Sequence, residues 1–139
     1  MEVDRRSALA FGLAMAAPAP LFALTTPAVA QEYGPNDGKE LSPGVRLVEI
    51  GTRDSDIPGY KSIQIVDVIW QPGAVSSTEP MPYDMVCYIT AGEFATKKAA
   101  TQYTLKKGDI YTCGKGKTDI ATNTSKVVGV HRIAFLIPA

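Results

Sequence analysis

The side chains best able to do chemistry in this chain are a spaced set of carboxylates and sulfurs, Glu79, Met81, Met85, Cys87, Cys113 and Asp119, followed by a lone histidine, His131. No Ser-His-Asp order, HExxH, phosphate-binding loop or dinucleotide fingerprint accompanies them. Two carboxylates facing one water-poor mouth repel each other, and desolvation raises one pKa. Glu79 and Asp119 are therefore a candidate acid–base dyad for metal-free isomerase or lyase work, with solvated rim carboxylates as the alternative. Sulfur from Met81, Met85 and the cysteines is a soft donor that selects Cu(I). The same residues are also ordinary core fillers. His131 shares a face with Ile133, Phe135 and Ile137 by period two, which predicts a half-buried ring in a terminal strand rather than a general base.

Glycines frame these residues at fixed intervals. The chain reads Gly73-(x)5-Glu79-x-Met81-(x)3-Met85-(x)6-Gly92, and then Gly108-(x)5-Gly114-x-Gly116-(x)2-Asp119-(x)3-Asn123. This resembles the two signatures of the cupin family, G-(x)5-H-x-H-(x)3,4-E-(x)6-G and G-(x)5-P-x-G-(x)2-H-(x)3-N. The resemblance implies a single-domain jelly-roll β-barrel. It also carries Glu79, Met81, Met85 and Asp119 onto the positions that hold metal in a typical cupin, where three imidazoles and one carboxylate bind Fe, Mn, Ni or Zn. Two carboxylates and two thioethers suit those ions poorly, so no resident cofactor is expected, with copper as the minor alternative. Cupin barrels commonly dimerise, so a homodimer or an accessory subunit of a periplasmic assembly is what the resemblance implies for partners.

The elements that must position these residues read as β throughout. Strands are predicted over 45–50, 61–70, 83–90, 102–105, 109–113, 118–122 and 127–137, with a loop at 54–59 and Gly/Pro turns between. No window after residue 31 has helical spacing with good caps. In 61–70 the apolar set changes phase at Val66, which predicts a bulge or a strand buried on both faces. Alternation from Met85 puts Cys87 on the same inward face, and Tyr111 and Cys113 should point inward from the paired strand. The predicted barrel mouth is therefore Glu79, Met81, Met85, Cys87, Tyr111, Cys113 and Asp119. In the jelly roll that the resemblance implies, Cys87 and Cys113 lie on neighbouring strands. A disulfide is possible there if their Cα atoms approach within about 6.8 Å. Gly114 and Gly116, flanking Lys115, predict a tight turn with positive φ. Tyr83, Tyr88 and Tyr103 are further candidates for a pocket or a core. The pairs Lys97-Lys98 and Lys106-Lys107, with Lys115 and Lys117, read as solvated turn charges.

Composition excludes some classes of partner. Lys plus Arg equal Asp plus Glu, 14 of each in 139 residues, so no net field draws the chain to nucleic acid or an anionic membrane. The N-terminus reads as a targeting segment over 1–30. Arg5-Arg6 precede an apolar run, and Ala28-Val29-Ala30 is a small-x-small cleavage site before Gln31, an arrangement that resembles a bacterial twin-arginine signal. A retained membrane anchor is the alternative, although Pro18, Pro20 and Pro27 interrupt the run. A flexible lead-in is predicted over 31–44 and the barrel over 45–139. The expectation is an exported barrel that binds a small molecule or a partner protein.

Overall fold

A computed structural model of the chain describes residues 32–139. The expected targeting segment lies outside the described residues. Among these residues there are nine strands and no helix: β1 (Lys39–Ser42), β2 (Val45–Asp54), β3 (Tyr60–Trp70), β4 (Asp84–Ala91), β5 (Glu93–Lys98), β6 (Thr101–Lys106), β7 (Ile110–Cys113), β8 (Asp119–Asn123) and β9 (Gly129–Pro138). Every pairing is antiparallel. Six strands form one sheet in the order β1-β2-β3-β9-β4-β7, and three form a second in the order β6-β5-β8. The result is a two-sheet jelly roll, the all-β class that the strand spacing predicts.

Alternation decides which side chains enter the space between the sheets. On β4, Met85, Cys87 and Ile89 are buried while Val86 and Tyr88 are exposed. Directly opposite across the large sheet, Val66, Ile133 and Cys87 share one row, and Val68, His131 and Ile89 the next. The small sheet answers with Phe94, Thr96, Leu105, Ala121 and Asn123, all buried. Each aliphatic or aromatic side chain fully removed from water contributes about 1.5–3 kcal/mol, so these rows supply most of what holds the two sheets together. Gly92 shows how closely they approach. It has φ 85°, and a Cβ added there would sit 2.7 Å from Gly129 Cα.

The apolar shift within β3 comes from burial on both faces, and the bulge belongs to its partner strand instead. Val66 to Trp70 are buried without a break. The extra residue lies on the partner strand, where the register steps from Glu49 opposite Val66 to Gly51 opposite Ile65, leaving Ile50 unpaired. On the outer face of β3, Asp67 is fully buried. It accepts both Arg132 Nε (2.9 Å) and Nη2 (2.8 Å), and its Oδ2 also accepts the Tyr33 hydroxyl at 2.6 Å.

Several boundaries differ from expectation. Residues 39–42 belong to the barrel as an edge strand paired with β2, not to a flexible lead-in. β2 runs on to Asp54, past the predicted strand end at 50, because it stays paired with β3 as far as Ser62. β5 was not predicted at all. Of the two glycines flanking Lys115, only Gly116 takes a positive φ, of 80°.

Candidate functional site

The space between the sheets is not completely filled. A cavity of about 320 Å³ remains at one end, lined by Leu47, Val68, Trp70, Met85 and Phe135 from the large sheet and by Asp119 and Ala121 from β8. Its outer wall is a strap, residues 75–82, running between β3 and β4 and contributing Ser76, Glu79 and Met81. Backbone bonds fasten the strap on one side. Ser76 N donates to Ala121 O (2.9 Å), Met81 N to Lys117 O (2.8 Å) and Gly116 N to Met81 O (2.8 Å), and Val75 bridges Thr122. The Ser76 hydroxyl oxygen also accepts Ala121 N at 2.9 Å.

Six of the seven side chains expected at the barrel mouth meet here: Glu79, Met81, Met85, Tyr111, Cys113 and Asp119 all line the cavity. Cys87 does not. It faces inward from β4 but sits behind the wall with no exposed surface. Burial pushes its thiol up to about 12, against a smaller opposing effect from the hydrogen bond with Tyr111. Such a sulfur stays protonated and is a poor nucleophile.

The register also decides the disulfide question. Met85 pairs with Cys113 and Cys87 pairs with Tyr111, so the two cysteines are diagonal neighbours offset by two residues. Diagonal positions lie about 7–8 Å apart, beyond the reach of a disulfide. Both cysteines are free and buried. The cross-strand disulfide is therefore replaced by two separate thiols.

The two carboxylates have different surroundings. Glu79 is exposed on the strap, where its backbone N–H donates to Ser77 Oγ at 3.0 Å. Asp119 opens β8 and is 5% exposed. Its Oδ2 accepts the Tyr103 hydroxyl at 3.2 Å, and its Oδ1 is buried with no hydrogen-bond partner among the described residues. Burial raises its pKa, opposed by the Tyr103 hydrogen bond and then by the charge of Lys98. Repulsion from Glu79 is not the cause. Lys98 stands opposite Asp119 in the register but spends its ammonium on Thr112 O, at 2.9 Å. It ends β5 beside the turn at 99–100, half-buried, with that bond on the exposed side.

His131 is fully buried rather than half-buried. Its ring lies 4.1 Å from Trp70, tilted by 34°, and 4.1 Å edge-on to Phe94. Nδ1 is 2.8 Å from the Tyr111 hydroxyl, and Nε2 is buried with no partner among the described residues. Burial pushes the pKa down to about 3, so the ring is neutral at neutral pH. Tyr111 is held well above its ordinary pKa, first by burial and then by the neighbouring Cys87. Its hydroxyl is thus a fixed polar point in the cavity wall rather than a base.

The donor set fits a hard metal ion poorly. Glu79, Met81, Met85 and Asp119 offer an exposed carboxylate, two thioethers and a carboxylate with one oxygen already bonded. Among the described residues no group of three or more His, Cys, Asp or Glu is placed to hold a metal. Sequence reasoning missed the aromatic and aliphatic wall (Trp70, Phe135, Leu47 and Val68) and Tyr103 as the partner of Asp119. The alternation of Val66, Val68 and Trp70 was the signal that could have found the first of these.

No family model and no curated protein matches the chain. Solved structures do. An RmlC-like cupin from Shewanella frigidimarina is 18% identical over 73% of this chain and 82% of its own, with a TM-score of 0.57. The cupin domain of an XRE family transcriptional regulator from Enterobacter cloacae is 15% identical over 69% of this chain and 99% of its own, with a TM-score of 0.57. A cupin superfamily protein from Desulfitobacterium hafniense is 16% identical over 71% and 83%, with a TM-score of 0.53. At these identities the likeness establishes the fold and nothing finer: the chain is built as a cupin-type jelly roll.

Proposed function

We propose that this protein is an exported, metal-independent barrel that holds a small, largely apolar molecule in the cavity between its sheets. The observation that carries this reading is the cavity itself. It has about 320 Å³ of space walled by Trp70, Phe135, Met81 and Met85 and a few fixed polar atoms, at the lower end of the size of ligand pockets. Export rests on the paired arginines and the Ala28-Val29-Ala30 site. Metal independence rests on the donor chemistry, since hard ions prefer oxygen and borderline ions imidazole, and the burial of both thiols disfavours the thiolate.

Trp70 is the one tryptophan in the chain and lines the cavity, so its emission reports occupancy. A neutral aromatic probe such as benzyl alcohol is expected to change Trp70 emission saturably, before and after dialysis against a chelator. Ala121→Phe, which fills the space from β8, is expected to weaken that response roughly tenfold or more while leaving the fold intact. A response that vanished on chelation, or one that Ala121→Phe left unchanged, would end the reading.

The same proposal has the barrel acting as a homodimer. Tyr88 and Ile110 stand directly opposite each other on the outer face of the large sheet, with Val86 beside them, and all three are exposed. An apolar patch at a sheet edge is a natural contact for a second copy. Sedimentation equilibrium is expected to give a dimer that Ile110→Lys converts to a monomer. A wild-type protein that sediments as a monomer at high concentration refutes the contact.

A further inference from the structure

From its wall chemistry, we infer that the cavity selects a small organic cation, an alkyl or aryl amine, in which an ammonium meets Asp119 and the apolar body lies against Trp70 and Phe135. The inference rests on the small-molecule reading above and specifies its ligand class.

Three observations lead there. The only formally charged side chains in the cavity wall are Glu79 and Asp119, both acidic, and no Lys or Arg lines it. Lys98, whose charge is felt at Asp119, donates to Thr112 O and lies outside the cavity wall. Asp119 is nearly fully buried, yet its Oδ1 lacks a hydrogen-bond partner, a costly arrangement that a ligand N–H donor would relieve. The third observation is the aromatic character of the remaining wall. Trp70, Tyr111 and Phe135 present rings, whose negative faces attract a cation and repel an anion. Met81 and Met85 add polarisable sulfur that adapts to an irregular apolar body. An anionic ligand would meet two carboxylates in a wall that holds no Lys or Arg. A neutral one could reach Asp119 Oδ1 only through an uncharged donor, without the added attraction of a positive charge.

The discriminating experiment compares three ligands of one shape on the purified protein, each titrated against Trp70 emission: benzylamine, benzyl alcohol and benzoate. Benzylamine is expected to bind roughly tenfold or more tighter than benzyl alcohol, a typical return for a desolvated charge-assisted hydrogen bond, and benzoate weakest of all. Asp119→Asn should bring benzylamine down to the level of benzyl alcohol and change benzyl alcohol far less. Glu79→Gln should reduce the preference by a smaller factor. If benzyl alcohol or benzoate binds the wild-type protein as tightly as benzylamine, the cation inference is overturned while the small-molecule reading stands. If none of the three perturbs Trp70, both fall. The wild-type comparison decides the matter even if a variant fails to fold.

Discussion

Lowering the pH from 7 to 4 is expected to remove about 3 kcal/mol of folding stability through His131 alone, at 1.36 kcal/mol for each pKa unit between the unfolded and folded states. The ring is fully buried between Trp70 and Phe94, and its pKa is pushed from 6.5 down to about 3. The sign follows from where the proton goes. The unfolded chain accepts it as the pH falls through 6.5, whereas the folded barrel refuses it until about 3. Stability is therefore whole above the unfolded value and drains away as the pH drops through that window. Asp119 works in the opposite direction. Its folded pKa is raised, so the native state takes up a proton before the unfolded chain does, and acid relieves its burial cost. The net acid loss is then somewhat smaller than the His131 contribution. Urea melts at pH 7 and pH 4 measure the sum, and His131→Phe isolates the imidazole by removing its titration while keeping a ring between Trp70 and Phe94. Equal wild-type stability at the two pH values, or an unchanged pH slope in His131→Phe, would show that the ring is not shielded as described.

Asn123→Asp, an amide exchanged for a carboxyl of the same shape, is expected to cost about 4 kcal/mol at neutral pH. Asn123 is fully buried. Its Nδ2 donates to Trp70 O (3.1 Å) and Val127 O (2.8 Å), while its Oδ1 accepts Ser125 N (3.0 Å) and Ser125 Oγ (2.6 Å). Its backbone ties to Ala74 O and Gly73 N, each through one bond. One side chain thus joins the end of β3 to the turn before β9. A carboxylate keeps the two acceptor bonds but turns two donor bonds into contacts between oxygens, and adds a buried charge. Asn123→Ala loses the same donors without burying a charge, and is expected to cost less than the aspartate. Denaturant midpoints rank the pair. An aspartate variant within about 1 kcal/mol of wild type would mean that the amide is not a structural tie.

Much of the barrel was legible in the residues because a jelly roll depends on turns that only certain residues make. Gly73, Gly92, Gly108 and Gly116 all take positive φ, and their spacing in the chain marks where strands must stop and start. Asn123 was visible as the last position of that spacing, but not as a four-bond hub, because its partners are up to 53 residues away. The missed strands lacked the expected pattern. β1, Lys39-Glu40-Leu41-Ser42, is an edge strand with almost no burial and is held by pairing alone. β5 does alternate, but its inward residues are Phe94, Thr96 and Lys98, two of them polar, so its face did not stand out. Alternation told which face Cys87, Cys113 and His131 occupy. It did not tell register or depth, and those properties separated the thiols and sealed the imidazole. The same limit applied to the carboxylates. Glu79 and Asp119 reach one cavity, but only the three-dimensional path of the chain put one on a strap in water and the other at a strand start under Tyr103.

The strap's fastenings have a consequence for how the cavity wall moves. Met81 and the Gly116–Lys117 turn clasp each other through reciprocal amide bonds, and Ser76 clasps Ala121 in the same way through backbone and hydroxyl. Such a doubly latched door opens by releasing whole pairs of bonds at once, not by the drift of a single side chain. Opening of the strap is therefore expected to be cooperative, with amide deuterium uptake at Met81 and Gly116 rising and falling together.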